Sequence, residues 1–311
     1  LISAAKIMDA VLQVLVSGLL MGSIYAASAV GLSLVWGALG MLNMAHGIML
    51  TVGGYMSFST VMHLGLPNWV GLPLACVVSA VIGLLIYFII VKWMYKSSVF
   101  QTNVIIATLG LSWMLENVIR TIYGSYPERQ PFGIDRQEGV TVELPEGTIV
   151  FVSDVFIPYQ NFIIMGVVAV LIIVLTLVLN RTRAGRAIRA TAQNRDAAQL
   201  NGVPVGRVFA QVLAIGGVVA AISGVMISSI ASLAPYMGYD PMMKAFIICV
   251  VGGLGSVPGA LYMALILGLV EAGVQLGLGA RYGYPVLLIV VILALLWRPY
   301  GVFGSREVAR I

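Results

Sequence analysis

Between Asp9 and Lys92 the chain carries no Asp, Glu, Lys or Arg, an unbroken run of 82 residues. A helix needs about 20 apolar residues to cross a bilayer, so this run alone holds three or four passes. Further uncharged runs span 97–115, 155–180, 208–239, 245–270 and 282–297. Soluble domains carry about 25% charged residues; here the figure is 9%, against 60% hydrophobic, in 311 residues. That balance excludes an ordinary soluble enzyme, a disordered chain and a disulfide-stapled secreted domain. Hydrocarbon offers no partner to unpaired backbone groups, so the spans must be helices or a closed barrel. The ten-residue alternation of a barrel is absent. Cys76 and Cys249 lie in apolar runs without CxxC spacing and read as buried free thiols. The "YAASA" at 25–29, with Lys6 upstream, has the look of a cleavable signal, but the apolar pattern continues past it and reads as helix.

Charge distribution assigns sidedness. The net +5 reads as basic cytoplasmic loops rather than as a nucleic-acid surface. Residues 181–207 hold six arginines against Asp196 and belong inside. Residues 124–158 hold two arginines against six acidic residues and belong outside. Lys92 and Lys96 put the end of the third helix inside, and Arg298, Arg306 and Arg310 put the C-terminus there. Trp69, Trp93, Tyr123, Tyr126, Trp297 and Tyr300 fall near expected helix ends, as an aromatic belt requires.

Sidedness then raises a parity problem. A helix over about 207–233 leaves the inside, and the last helix, about 283–298, returns to it. The stretch 241–276 therefore starts and ends outside and must be a hairpin or re-entrant pair. Its middle, "VVGGLGSVPG" at 250–259, has the glycines and proline that break a helix. Residues 31–62 pose the same problem. As one straight helix they would be about 48 Å long, against a hydrocarbon core of about 30 Å. Two breaks are expected, at Gly37-Ala38-Leu39-Gly40 and at Gly252-Gly253-Leu254-Gly255. Paired glycine-interrupted segments in two halves point to a transporter with internal repeats. In the outside loop, "VTVEL" (140–144), a Pro-Glu-Gly turn and "TIVFV" (148–152) read as a β-hairpin. The expected fold is an all-α integral membrane protein. It has about eight membrane helices, two broken or re-entrant segments and a small extracytoplasmic β-hairpin loop, with 1–311 as one domain.

No Walker A, HExxH, CxxC or GxSxG pattern occurs, so no cofactor, metal or catalytic residue is expected. Tyr239-Asp240 followed by Gly253-Leu254-Gly255 has part of the intramembrane aspartyl protease pattern. Ser256 stands where the second carboxylate of that dyad is needed, which removes the chemistry.

The segment "RTRAGRAIRATAQNRDAAQLNGVPVGR" (181–207) combines a small apolar face with a basic one, and Gly202 and Pro204 end it. A short helix of this kind suits a groove in a partner protein, or a membrane surface of anionic headgroups. It resembles the coupling loop of ABC importer permeases, with Gly185, Ala190, Ala197 and Gly202 on the "G…A…A…G" frame. The wider chain resembles the branched-chain amino acid (Liv-type) permease family. The matching stretches are "GLSLVWGALGMLNMAHGIMLTVGGY" (31–55), "IIATLGLSWMLENVIRTIYG" (105–124), "RAGRAIRATAQNRDAAQLNGV" (183–203) and "VVGGLGSVPGALYMALILGLVEA" (250–272). Two positions depart from the family pattern: Ile48 where many members have an acidic residue after "AHG", and Met44 where Phe is frequent.

The resemblance implies an importer permease that pairs with a second permease, identical or not, two cytosolic ATPases and an extracytoplasmic binding protein. Membrane lipid and a small solute complete its partners; nucleic acid is not among them. The resemblance implies branched-chain or other hydrophobic amino acids, or urea or amides, as cargo, and a lining this poor in charge suits small apolar or zwitterionic solutes such as amino acids, or neutral ones such as urea. An ion-coupled secondary transporter and a channel are the other function classes. The first requires a carboxylate within the helices, for which Glu116 and Glu271 are available; the second needs no coupling helix.

Gly37, Gly40, Asn43, His46, Gly252, Gly253, Gly255 and Glu271 are candidates for the translocation path. Gly185, Arg186, Arg189, Ala190, Asn194, Ala197 and Gly202 are candidates for ATPase coupling. His46 and Asn43 equally suit a structural role, bonding backbone groups freed by the break. Glu116 and Arg120, spaced i,i+4, are expected to pair. Glu271 suits the path, a pair with Arg281 or a contact with the second permease. Asp240 and Lys244 read as a solvated outer pair or a docking point for the binding protein. The fifteen methionines read as gap-fillers.

Overall fold

Uncharged apolar stretches form helices, and the glycine clusters at 37–40 and 252–255 fall where helices end. The computed structural model describes residues 4–95, 97, 99–128, 149–152 and 155–304. Helix α1 runs Ala4–Leu39, α2 His46–Met62 and α3 Asn68–Ile86. A π-helical turn, Tyr87–Val91, continues α3 into α4 (Lys92–Met94), followed by α5 (Phe100–Tyr123). Then come α6 (Tyr159–Arg181), α7 (Arg183–Gln193), α8 (Arg195–Leu200) and α9 (Val205–Ile230). The chain closes with α10 (Tyr239–Gly252), α11 (Val257–Leu278) and α12 (Gly283–Trp297).

Seven helical stretches among the described residues are long and apolar enough to cross a membrane. Helices α2 and α10, at 17 and 14 residues, are shorter. The expectation of about eight spans thus resolves into seven long helices and two short ones that begin or end at breaks. Both expected breaks are present: α1 stops at Leu39 before α2 starts at His46, and α10 stops at Gly252 before α11 starts at Val257.

The helices meet through small residues, which let backbones approach where lipid supplies no hydrophobic drive between helices. A Cβ on Gly22 would lie 2.9 Å from Leu265 Cα, so α1 and α11 pack with no room for a larger residue there. The core is centred on α1, α2 and α9, whose Leu39, Met49, Leu50, Val212 and Leu213 are all buried. Trp69, Trp93 and Trp297 stay exposed near helix ends, as interfacial anchors do.

A short two-stranded hairpin precedes α6. Strand β1 (Ile149–Val152) pairs antiparallel with β2 (Val155–Pro158), in the register Val150 to Ile157. The expected partner strand 140–144 and the Pro-Glu-Gly turn lie outside the described residues, as do Lys96, Arg306 and Arg310. Backbone bonds between Glu128 and Leu233, 2.8 and 2.9 Å, tie the exit of α5 to the exit of α9.

Candidate translocation and coupling site

A helix that stops inside a bundle leaves its last carbonyls without intrahelical partners. At the first break Gly40, at φ +57°, donates to Trp36 O at 2.7 Å and turns the chain. Asn43 then accepts from Ala45 N at 3.1 Å through Oδ1, and its own carbonyl accepts from His46 N at 3.2 Å. His46 Nε2 lies 3.1 Å from Ser28 O, deep in the core. Asn43 and His46 therefore stitch the break to α1 and α2, and both are buried away from the large cleft described below.

The second break is closed by the chain's own tail. Val302 N donates to Val251 O at 2.7 Å and Phe303 N to Gly252 O at 3.3 Å. Gly253, at φ +99°, packs so tightly against this strap that a Cβ would stand 2.5 Å from Gly304 N. Ser256 caps α11 by accepting from Gly259 N at 3.2 Å.

The two breaks touch. A Cβ on Gly255 would fall 2.9 Å from Gly37 Cα, and one on Gly37 would fall 3.0 Å from Gly255 O. Gly37, Gly40 and Gly255 border a cleft of about 820 Å³, which Asn194 and Arg195 of the 181–207 segment also line. A smaller cleft of about 280 Å³ lies between Gly37, Gly255 and Arg189. Gly252 and Gly253, by contrast, are buried behind the strap.

The 181–207 segment forms two helices where one was expected. Asn194 ends α7 and caps α8, accepting from Ala197 N at 2.9 Å, because Asn favours an extended backbone whose side chain reaches the next helix's free N–H groups. Thr182 caps α7 by accepting from Gly185 N at 3.0 Å. A Cβ at Gly185 would run into the carbonyls of Leu179 and Val178, so glycine lets α7 fold back on the end of α6. Arg186 and Arg189 are exposed, with Arg189 bonded to Asn180 Oδ1. Ala190 is half-buried; Ala197 and Gly202 are exposed, the latter at φ +79°. Leu200 stands 89% exposed at the end of α8.

Two functional-looking features escaped sequence reading. Arg195, half-buried, donates to Leu39 O at the end of α1 and lies 5.4 Å from the Phe209 ring of α9. Burial lowers its pKa from the usual arginine value, and Asp196 opposes that shift. Its position in a basic run hid it among five other arginines. Lys244 corrects the second expectation: it is not a solvated outer residue but 9% exposed. It donates to Glu271 Oε1 at 3.1 Å and to Tyr25 Oη at 2.9 Å, while Tyr25 donates to Glu271 Oε2 at 2.8 Å. Asp240 lies 3.4 Å from the same ammonium. Glu271 thus pairs with Lys244, not with Arg281, and it borders neither cleft. Glu116 and Arg120 pair at 2.7 Å, as their spacing predicts.

Long apolar helices, paired breaks in contact and a basic segment beneath them define a multi-pass membrane permease. The chain belongs to the family described as the permease component of the branched-chain amino acid transport system, whose model matches residues 14–296. It is similar to the high-affinity branched-chain amino acid transport system permease protein BraD of Pseudomonas aeruginosa, 31% identical over 96% of this chain and 98% of that protein. It is similar to LivH of Escherichia coli K12, of the same description, at 32% over 96% and 97%. The fructose import permease protein FrcC of Rhizobium meliloti is 32% identical over 42% of this chain and 39% of its own length. No solved structure matches the chain.

Proposed function

We propose that the chain is the membrane permease of an ATP-driven importer for branched-chain or similar hydrophobic amino acids, seated in the cell's inner membrane with its C-terminus in the cytoplasm. Two separate ATPases bind ATP and push on 181–207, a second permease completes the channel between subunits, and a binding protein delivers the solute outside. The chain itself performs no covalent chemistry. Its part is mechanical: α6 and α9 flank the pushed segment, and their tilt opens one side of the path as it closes the other.

The observation that supports this reading most is the shared cleft of about 820 Å³. It brings the first break (Gly37, Gly40), the second (Gly255) and the α7–α8 junction (Asn194) to one place. A push on α7 and α8 is then applied next to the two points where the long helices are already interrupted. The cargo class follows from the relatives' printed substrates and from the absence of charged residues between 10 and 91.

The test is reconstitution. The chain, expressed with its neighbouring transport genes, should co-purify with an ATPase and take up labelled leucine into proteoliposomes only with ATP and the binding protein. Uptake driven by a proton gradient through the chain alone would sink the reading. A binding protein stabilised by urea but not by leucine would move the cargo to amides while leaving the importer intact.

A further inference from the structure

The two breaks are held shut by different means. The carbonyls at the end of α10 receive backbone N–H groups of the strap 302–303, a part of the same bundle. The carbonyls at the end of α1 receive side chains from elsewhere. Arg195, the first residue of α8, donates to Leu39 O, and Gln101, in the first turn of α5, donates to Gly40 O at 2.9 Å.

The α1 terminus needs such donors. A helix C-terminus carries partial negative charge and unpaired carbonyls, and α1 has no basic residue in its last turn. In ion-driven transporters, the carbonyl ends of broken helices are where a coupling cation binds. Here the position is taken by a cation tethered to the chain, and the tether is the segment proposed to receive the ATPase's push.

That segment is packed directly against its neighbours. Gly185 lets α7 sit directly on the last carbonyls of α6. Asn194 joins α7 to α8, and Arg195 lies between Phe209 of α9 and Leu39 of α1. A Cβ on Gly40 would stand 2.8 Å from an Arg195 guanidinium nitrogen, so this contact sits on the turn of the break itself.

We infer that Arg195 is the positioning residue that carries displacement of the coupling segment into the α1 break, acting as a tethered counter-charge on the Leu39 carbonyl. The inference rests on the importer reading and deepens it. When α8 shifts, the guanidinium shifts with it, the Leu39 carbonyl loses its charged donor, and the wall of the cleft at Gly37–Gly40 is released. Transport is then coupled to ATP hydrolysis through one side chain and requires no driving ion at this site.

The test uses the assembled transporter carrying R195Q or R195K. One readout is hydrogen exchange of backbone amides 36–44 and 183–200, with and without ATP plus vanadate. The other is leucine moved per ATP hydrolysed. In the wild type, nucleotide is expected to alter exchange in both segments. R195Q is expected to keep assembly, basal ATP hydrolysis and the response at 183–200. It should lose the response at 36–44, and leucine per ATP should fall about tenfold, within the usual range of coupling factors. R195K, which retains a charged donor, is expected to recover most of both. The inference is overturned if R195Q preserves the response at 36–44 and the leucine yield. It is equally overturned if neither variant assembles, because Arg195 then serves folding or ATPase docking rather than this link. A wild-type chain that recruits no ATPase sinks the importer reading itself, and this link with it.

Discussion

Lys244 of α10 donates to Glu271 of α11 at 3.1 Å, with 9% and 2% of their surfaces exposed. Tyr25 of α1 closes the group, so three helices share one buried ion pair. Two charges withdrawn from water are expensive, and a partner left alone is more so. Lys244→Met and Glu271→Gln are each expected to lower the stability of the purified complex by about 3–5 kcal/mol. The double variant Lys244→Met/Glu271→Met should recover most of the loss, since two apolar residues replace a costly pair. Thermal unfolding in detergent is the measurement; single variants that unfold at the wild-type temperature refute the brace.

Gly255 carries two separate demands, a φ of +83° and the approach of Gly37. Gly255→Ala is expected to cost about 1–2 kcal/mol in backbone strain alone, and to force the breaks apart. Gly279, at φ +103° with nothing within 4 Å of its would-be Cβ, supplies the control. Gly279→Ala should suffer comparable strain but keep leucine uptake, whereas Gly255→Ala should lose it. Equal uptake by both variants would show that contact between the breaks is immaterial.

Asn194 divides the 181–207 segment and caps α8. Asn194→Ala should remove about 1 kcal/mol of helix stability, and Asn194→Asp, another strong cap, should keep it. A loss of that size is a factor of about 5 in local opening. Limited proteolysis within 195–203 reads it directly: Asn194→Ala is expected to be cut faster, and Asn194→Asp at the wild-type rate.

The Glu116–Arg120 pair should matter little. Arg120 is exposed and the pair spans one helical turn, a class worth about 0.3–0.5 kcal/mol. Arg120→Ala is expected to leave the unfolding temperature within error of the wild type. A large drop would show that the pair is covered by a partner subunit.

The helices, both breaks and the 181–207 segment were legible because each leaves a local mark. Uncharged runs, glycine clusters such as Gly252-Gly253 and an arginine-rich interval are properties of neighbouring residues. Glu116 and Arg120 were legible for the same reason: four residues apart on a helix is a distance already set by the helix. The split at Asn194 was less visible, since a short extended residue between two helices looks in sequence like one continuous helix.

What local pattern cannot carry is which distant groups meet. Lys244 and Glu271 are 27 residues apart, and Tyr25 is 246 from Glu271; Arg195 and Leu39 are 156 apart. Read singly, Lys244 was an outer charge and Arg195 one arginine of six. The amino-acid sequence by itself determined that this chain lives in a bilayer, where it breaks and which interval is basic. Those outcomes follow from hydrophobicity, backbone freedom and charge, which each residue brings with it. Only the tertiary structure decided that the two breaks lean on each other and that Arg195 holds the end of α1. Those contacts depend on how close-packed helices bring orphan carbonyls and buried charges within reach of their partners.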